Sequence, residues 1–199
     1  MKEQFIEIFQ STIKRDGADK LLNWLIKSDF FEAPASTRYH LAKTGGLAEH
    51  SINVYHRLKC LVANEIKHNT SFSPVTAETI AVCGLLHDIC KVNFYKTEMR
   101  NAKNESGQWV KVPYYVVEDQ VPYGHGEKSV YIASGFMNLS REEAMAIRWH
   151  MGGFDDAVKG GSYALSIAWG KFPIGILLHI ADIQATYIDE KEGVRDEKK

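Results

Sequence analysis

The feature that most limits how this chain can fold is a wholly apolar run that ends in two ionisable residues. Segment 80–86 is IAVCGLL, and His87 and Asp88 follow it directly. Pro74 and Thr76 precede the run as helix-starting residues, so the sequence predicts a helix that is apolar on nearly every side and therefore central. An unpartnered buried carboxylate costs several kcal/mol. An inward-facing Asp88 therefore needs a cation or a metal ion as its partner.

Two further histidines belong to predicted helices. His50 follows Leu47 by three positions and precedes Val54 by four, which places it on the inward stripe of the helix that begins at GGLAEH. His125 stands at the start of a helix that opens with GHGEKS. We expect the imidazole of His50 to point into the core.

The C-terminal half supplies another histidine and another carboxylate. Ser140 and Glu143 have the spacing of a capping box, and the helix that they start ends at His150. A last helix begins near Pro173 and carries Asp182 among apolar neighbours. Asp182 is thus a second carboxylate in a core helix.

Together these ionisable residues form a mixed set of nitrogen and oxygen ligands. The candidate ligands are His50, His87, Asp88, His125, His150 and Asp182. Any one of the histidines alone fits a hydrogen-bonded core residue, but no lysine or arginine interrupts the apolar runs to neutralise the carboxylates. The set suits Mn, Fe, Co, Ni, Zn or Mg, with one or two divalent ions per chain and Asp88 bridging two.

The rest of the chain predicts an all-α single domain over residues 1–199, with one insertion. N-terminal helices occupy residues 1–39, and a charged, solvated tail occupies residues 190–199. Residues 93–123 are rich in aromatic and β-branched residues around a polar centre, which predicts a β-hairpin or flap. Such a segment is either a functional lid or a surface segment without a role in function.

Composition excludes several classes of partner. The 199 residues are 45% hydrophobic with a formal net charge of −1, which gives no basic field for tight binding of long duplex nucleic acid. The apolar runs are shorter than the ~20 residues that span a bilayer, so we expect no membrane partner. Cys60, Cys83 and Cys90 lie in apolar helical contexts, which predicts buried, reduced thiols in a cytoplasmic protein. The oligomeric state is left open.

The ordered motifs resemble the HD-domain metal-dependent phosphohydrolase superfamily over most of the chain. GGLAEHS is similar to its first-histidine segment, LLHDICK to its paired HD segment with a lysine three residues later, and LLHIAD to its final-aspartate segment. His125 and His150 resemble the additional histidines of members that hold two metals, including certain exoribonucleases and cyclic-dinucleotide phosphodiesterases. The resemblance implies an all-helical fold with the ligands on neighbouring helices.

The sequence differs from two subgroups of the superfamily in ways that limit the substrates that the resemblance implies. The segment after RWH is MGGFD, without the glycine-tyrosine-proline signature of the cyclic-dinucleotide subgroup. The exoribonuclease relatives carry a separate oligonucleotide-binding domain, whereas only about forty residues precede the first motif here, and those predict two short helices. A cyclic-dinucleotide substrate is therefore disfavoured, and RNA processing has no support from the domain organisation.

The implied activity is cleavage of a phosphoester, of a nucleotide or short oligonucleotide, by metal-activated water. Asp88 and Lys91 are the candidate catalytic residues, Lys91 as a point charge for phosphate oxygens. Lys128 and His40 are candidate substrate-binding residues, and His40 matches a histidine of several relatives. The alternative for each lysine is a solvated helix residue, and for His40 a structural role.

Two other functions are compatible with the same ligand set. Some HD-domain proteins use a six-ligand pattern to hold two irons and activate dioxygen. A non-catalytic module that senses a nucleotide is the other alternative, and it is expected where the ligand set is incomplete. All six positions are filled in this sequence.

Overall fold

The structure is a computed structural model that describes residues 1–190. These residues form nine α-helices and one two-stranded antiparallel sheet. The helices are α1 Lys2–Thr12, α2 Ala18–Lys27, α3 Gly46–His68, α4 Ala77–Leu86, α5 His125–Ser134, α6 Arg141–Arg148, α7 Asp156–Lys159, α8 Ala164–Lys171 and α9 Ile174–Gln184. The strands are β1 Tyr95–Lys103 and β2 Trp109–Val117. The predicted helical architecture is confirmed.

Helices α3, α4 and α9 form the centre of the fold. The apolar run predicted as a core helix is α4, in which residues 80–86 are all buried. Helix α4 packs closely on α3 because Gly84 has no side chain: a Cβ there would lie 2.6 Å from the Cα of Tyr55. This close approach brings the end of α4 beside the inward face of α3.

Helices α5 and α6 form a second close pair. The predicted capping box starts α6, with the Ser140 hydroxyl accepting from the Glu143 amide and the Glu143 carboxylate accepting from the Ser140 amide. A Cβ on Gly126 would lie 2.2 Å from the carbonyl oxygen of Arg148, so the start of α5 contacts the end of α6 directly. His125 and His150 are therefore neighbours, with ring centroids 5.1 Å apart.

The hairpin predicted around residues 93–123 is present as β1 and β2. Its register runs from Tyr95 opposite Val117 to Lys103 opposite Trp109, and Gly107 in the turn has a φ of 76°. Within residues 1–190 the two strands form a sheet of their own, and the Tyr95 hydroxyl at its base donates to the Ala35 carbonyl of the helical body. The hairpin is thus an arm attached to the helical body at one end.

Some expectations need correction. Cys60 is exposed, because it lies on the outer face of α3; only Cys83 and Cys90 are buried. Of the predicted charged tail, Glu190 is 4% exposed, and the remaining residues lie outside the described part of the chain. No single helix in residues 1–190 has the length and apolarity to cross a membrane; one bent pair, 164–171 with 174–189, has them but turns by 107° at its break.

Candidate metal centre

The structure brings all six predicted ligands to one place. They come from α3, the turn after α4, the start of α5, the turn after α6, and α9. His50, His87, Asp88 and His150 are at most 3% exposed, whereas Asp182 and His125 retain partial access to solvent. The site is therefore embedded in the helical core and open on one side.

One group of ligand atoms surrounds the Nε2 atom of His50. The Nε2 atom of His87 lies 3.3 Å from it, and Oδ1 of Asp182 lies 3.2 Å from it. Oδ2 of Asp88 is 3.7 Å from the Nε2 atoms of both histidines. Four ligand atoms from three helical segments thus converge on one small volume.

The other oxygen of Asp88 faces a second group. Oδ1 lies 2.8 Å from Nε2 of His125 and 3.5 Å from Nε2 of His150. Asp88 can present its two oxygens to different partners because it lies in the turn between α4 and a short 3-10 helix, Ile89–Lys91. The carboxylate is therefore oriented to bridge two metal positions.

The hydrogen bonds of the two most buried histidines prepare them as metal ligands. Nδ1 of His87 donates to the Gly84 carbonyl at 2.9 Å, and Nδ1 of His150 donates to the Ile147 carbonyl at 2.7 Å. Each ring consequently turns its Nε2 toward the cluster, where that nitrogen has a lone pair for an ion in the neutral imidazole. Nε2 of His150 is buried and has no hydrogen-bond partner among residues 1–190, which is costly unless an ion binds there.

The spacing of the donor atoms also fits divalent ions. Two ligand atoms about 2.1 Å from one ion and at right angles to each other lie about 3.0 Å apart. The separations of 3.2 and 3.3 Å around His50 are close to that value. The mixed imidazole and carboxylate set suits Mn, Fe, Co, Ni or Zn. The residues present therefore fit a metal centre.

Electrostatics in the site depend on which charges surround each ring. Burial lowers the pKa of His87 to about 4, so its imidazole is neutral at pH 7. Burial also disfavours the charged form of His50, but the hydrogen bonds that its ring donates to Asp182 and Glu190 outweigh burial and raise the pKa to about 10. Burial likewise opposes ionisation of Asp88, yet Lys91 and the histidines hold its pKa well below the ordinary value. An ion that binds His50 must therefore displace a proton.

Lys91 is a cationic partner of Asp88. The apolar runs contain no lysine or arginine, which suggested a metal ion as the partner of Asp88. Lys91, just beyond α4, already supplies a cation: its ammonium lies 2.7 Å from Oδ2 of Asp88 and donates to the Ala35 carbonyl at 2.7 Å. Asp88 thus has both a buried ion pair and a set of imidazole neighbours.

The two predicted substrate-binding residues lie in different surroundings. The ring of His40 is 4.8 Å from that of His50, and burial together with the charges of His50 and Lys91 lowers its pKa to about 4. Lys128 is 6% exposed, pairs with Asp119 at 2.5 Å, and makes no hydrogen bond or ion pair with the six candidate ligands in the described chain. His40 thus borders the site, and Lys128 is bound at the base of the hairpin.

Two residues at the site were missed by sequence reasoning. Both carboxylate oxygens of Glu190 lie 3.1 Å from Nδ1 of His50, and Oε1 also accepts from Asn53 at 2.9 Å. The thiol of Cys90 lies 3.4 Å from Nδ1 of His125. Glu190 and Cys90 thus each contact the Nδ1 atom of a candidate histidine ligand, the ring nitrogen that faces away from the cluster. Glu190 thereby fixes the ring orientation of His50.

We expect Glu190→Gln to weaken metal binding about 10- to 100-fold, as loss of an outer carboxylate behind a metal-bound histidine does. The amide keeps the size of the side chain but removes the charge that holds the Nδ1 proton of His50. Chelator competition measures the affinity. Asp189→Asn is the matched control, because Asp189 pairs with Arg57 at the surface. Equal affinity in the Glu190 and Asp189 variants would show that Glu190 has no orienting role.

Comparison with known proteins identifies the fold. A model of the HD domain family matches residues 47–183, a range that contains all six candidate ligands and the inserted hairpin. No curated protein and no solved structure is similar enough to count as a match. Since the family model covers more than half of the chain and its histidines and aspartates converge in the structure, the chain belongs to the HD-domain superfamily of metal-dependent phosphohydrolases.

Proposed function

We propose that this protein hydrolyses a phosphoester of a nucleotide or short oligonucleotide, with divalent metal ions as cofactors. The observation that carries the proposal is the orientation of Asp88, whose two oxygens face two separate sets of imidazole nitrogens. Bound divalent ions activate water as a nucleophile near neutral pH and neutralise charge that develops on phosphorus. The family membership supports the same reaction class.

The roles of the chain's own residues follow from their contacts. His50, His87 and Asp182, with Oδ2 of Asp88, would hold one ion; His125 and His150, with Oδ1 of Asp88, would hold the other. The hydrogen bonds from Nδ1 of His87 and His150 to backbone carbonyls keep these rings fixed, so ordering them costs little when an ion binds.

Charge around the site favours an anionic substrate. Burial opposes the charged form of Lys91, but Asp88 outweighs burial and raises the pKa of the ammonium, which stays protonated at neutral pH. This ammonium is fixed beside the bridging carboxylate, where it adds a positive charge for phosphate oxygens. His40 is neutral and can donate or accept a hydrogen bond at the rim. We assign Lys91 to catalysis and His40 to substrate binding, whereas the substrate contact of Lys128 stays a prediction, because its ammonium is buried and paired with Asp119.

The test is metal analysis joined to an assay under nitrogen. Protein purified without chelator should carry one to two transition-metal ions per chain. It should cleave p-nitrophenyl phosphate or bis(p-nitrophenyl) phosphate with Mn²⁺ or Co²⁺ in the absence of oxygen, and a nucleotide or short oligonucleotide faster, because hydrolysis needs only a Lewis acid and water. Turnover that requires both iron and dioxygen would assign the site to an oxygenase instead. A lack of bound metal and of cleavage on all these substrates would contradict the proposal.

A further inference from the structure

The two faces of the hairpin differ in composition. Alternate residues of a strand share a face, and residues paired across the ladder lie on the same side. From the register, one face, here called the lysine-bearing face, consists of Tyr95, Thr97, Met99, Asn101 and Lys103 of β1 with Trp109, Lys111, Pro113, Tyr115 and Val117 of β2. These ten residues include three aromatic rings and two lysines, and none of them is a carboxylate.

The opposite face carries carboxylates as well as cations. Lys96 pairs with Glu98 at 3.1 Å and with Glu118 at 2.8 Å, and Arg100 lies over the ring of Tyr114. On the lysine-bearing face, Lys103 and Lys111 are exposed and make no ion pair within residues 1–190. Lys96, Glu98, Arg100 and Glu118 carry no net charge together, whereas the lysine-bearing face carries two positive charges and no carboxylate.

Large apolar groups accompany these lysines at the surface. Trp109 is 69% exposed, with the Lys103 ammonium 5.5 Å from its ring centre, and Met99 is 57% exposed. Apolar side chains of this size are ordinarily buried, and an exposed cluster of them marks a binding surface. Exposed rings next to unpaired ammonium groups fit a ligand that carries both flat apolar groups and negative charges.

The lysine-bearing face is continuous with the metal centre. At its base the Tyr95 hydroxyl donates to the Ala35 carbonyl at 3.3 Å, the same oxygen that accepts from Lys91. The ring of Tyr115 lies 6.5 Å from that of Tyr95 and continues the face toward the tip. From the Tyr95 pair to the Trp109 pair, eight residue steps cover about 27 Å. Stacked nucleotides advance roughly 3.4 Å each, so a mononucleotide cannot contact both ends.

We propose that the lysine-bearing face binds single-stranded nucleic acid and leads its end to the metal centre. This rests on the proposed function, and it selects an oligonucleotide over a nucleotide as the substrate. Unpaired bases stack on exposed aromatic rings whatever their sequence, and lysines bind the phosphates. A duplex does not present its base faces. A second copy of this chain, joined by the same face in a symmetric dimer, would place like charges against each other.

The test measures binding in EDTA, where no cleavage interferes. Fluorescein-labelled 12-nucleotide single strands of DNA and of RNA are titrated with protein and followed by anisotropy. Trp109→Ala should weaken binding about 5- to 150-fold, the loss of one stacked base. Lys103→Ala with Lys111→Ala should lower the salt slope of log affinity by about 1.4, from two lost phosphate contacts. Lys96→Ala, on the opposite face, is the control and should bind like the parent protein.

Different failures have different meanings. If the parent protein cleaves nitrophenyl esters with Mn²⁺ but binds neither strand, the hairpin proposal is wrong and the proposed function stands. Equal affinity for a blunt duplex of the same length would show that charge attraction alone accounts for the binding, and it would overturn the stacking role. A dimer in light scattering that Trp109→Ala dissociates would assign this face to a second copy. Binding of strands without cleavage of any phosphoester would refute the proposed function. It would also refute the proposal that the hairpin leads the end of the strand to the metal centre. All these variants change exposed residues, and circular dichroism checks that they fold.

Discussion

Asp88→Ala is expected to remove the bound metal, to abolish metal-dependent turnover and to destabilise the fold. Asp88 is the one candidate ligand in residues 1–190 whose oxygens face both sets of histidines, so its loss affects both metal positions. It is also the anion beside Lys91, and breaking a buried pair by removing one partner costs about 3–5 kcal/mol. Metal content by mass spectrometry and urea unfolding measure the two effects separately.

A second buried carboxylate provides the control for Asp88. Glu143 is fully buried and accepts hydrogen bonds from the Arg15 guanidinium at 2.6 and 2.8 Å, away from the candidate ligands. Glu143→Ala should destabilise the protein by a similar amount yet leave the metal content of the folded fraction unchanged. An Asp88→Ala protein that keeps its metal and turnover would refute the metal centre as assigned.

The double substitution of His125 and His150 by alanine separates the two metal positions. Both rings lie near Oδ1 of Asp88, whereas the shared superfamily set surrounds His50. We therefore expect occupancy to fall by about one ion while the other position stays filled. Unchanged occupancy would mean that the two histidines are structural or bind substrate.

Regular patterns in the sequence were sufficient to predict the helices that carry the site. The inward stripe of α3 placed His50, the apolar run of α4 placed His87 and Asp88, and the capping box predicted the start of α6. These signals are local, since each depends on residues within a few positions along the chain. The convergence of the six side chains was inferred from their chemistry rather than from any local pattern.

Contacts between residues that are far apart in the chain could not be predicted from such local patterns. Glu190 begins a charge-rich segment and was therefore predicted as part of a solvated tail. A π-helical turn at Ala185–Asp189 instead directs it back onto His50, which lies 140 positions earlier in the chain. Cys90 was predicted to be buried, but its contact with His125 depends on how α5 packs. The pair of Asp88 and Lys91 differs, because its i,i+3 spacing is visible in the sequence.

Lys91→Met is expected to reduce turnover by roughly 10²-fold while the protein still binds its metal. The ammonium is a single preorganised positive group beside the bridging carboxylate, and removal of one such group elsewhere costs about that factor. Methionine keeps most of the apolar stem, so the loss reports on the charge rather than on a cavity. Turnover equal to that of the parent protein would exclude Lys91 from the reaction without changing the ligand assignment.

The same variant tests whether Lys91 and the metal ions both neutralise the charge of Asp88. In EDTA, Lys91→Met leaves Oδ2 of Asp88 without its ammonium partner, so the free energy of unfolding should fall by about 3–5 kcal/mol. With saturating Mn²⁺ the ions provide the missing positive charge, and because ligands that bind only the folded state stabilise it, most of that loss should be recovered. Urea unfolding with and without metal measures the difference. Lys67→Met, an exposed change at the end of α3, should alter neither value. A Lys91→Met protein equally destabilised in EDTA and in Mn²⁺ would show that the ammonium stabilises the fold through its bond to Ala35 rather than through the charge of Asp88.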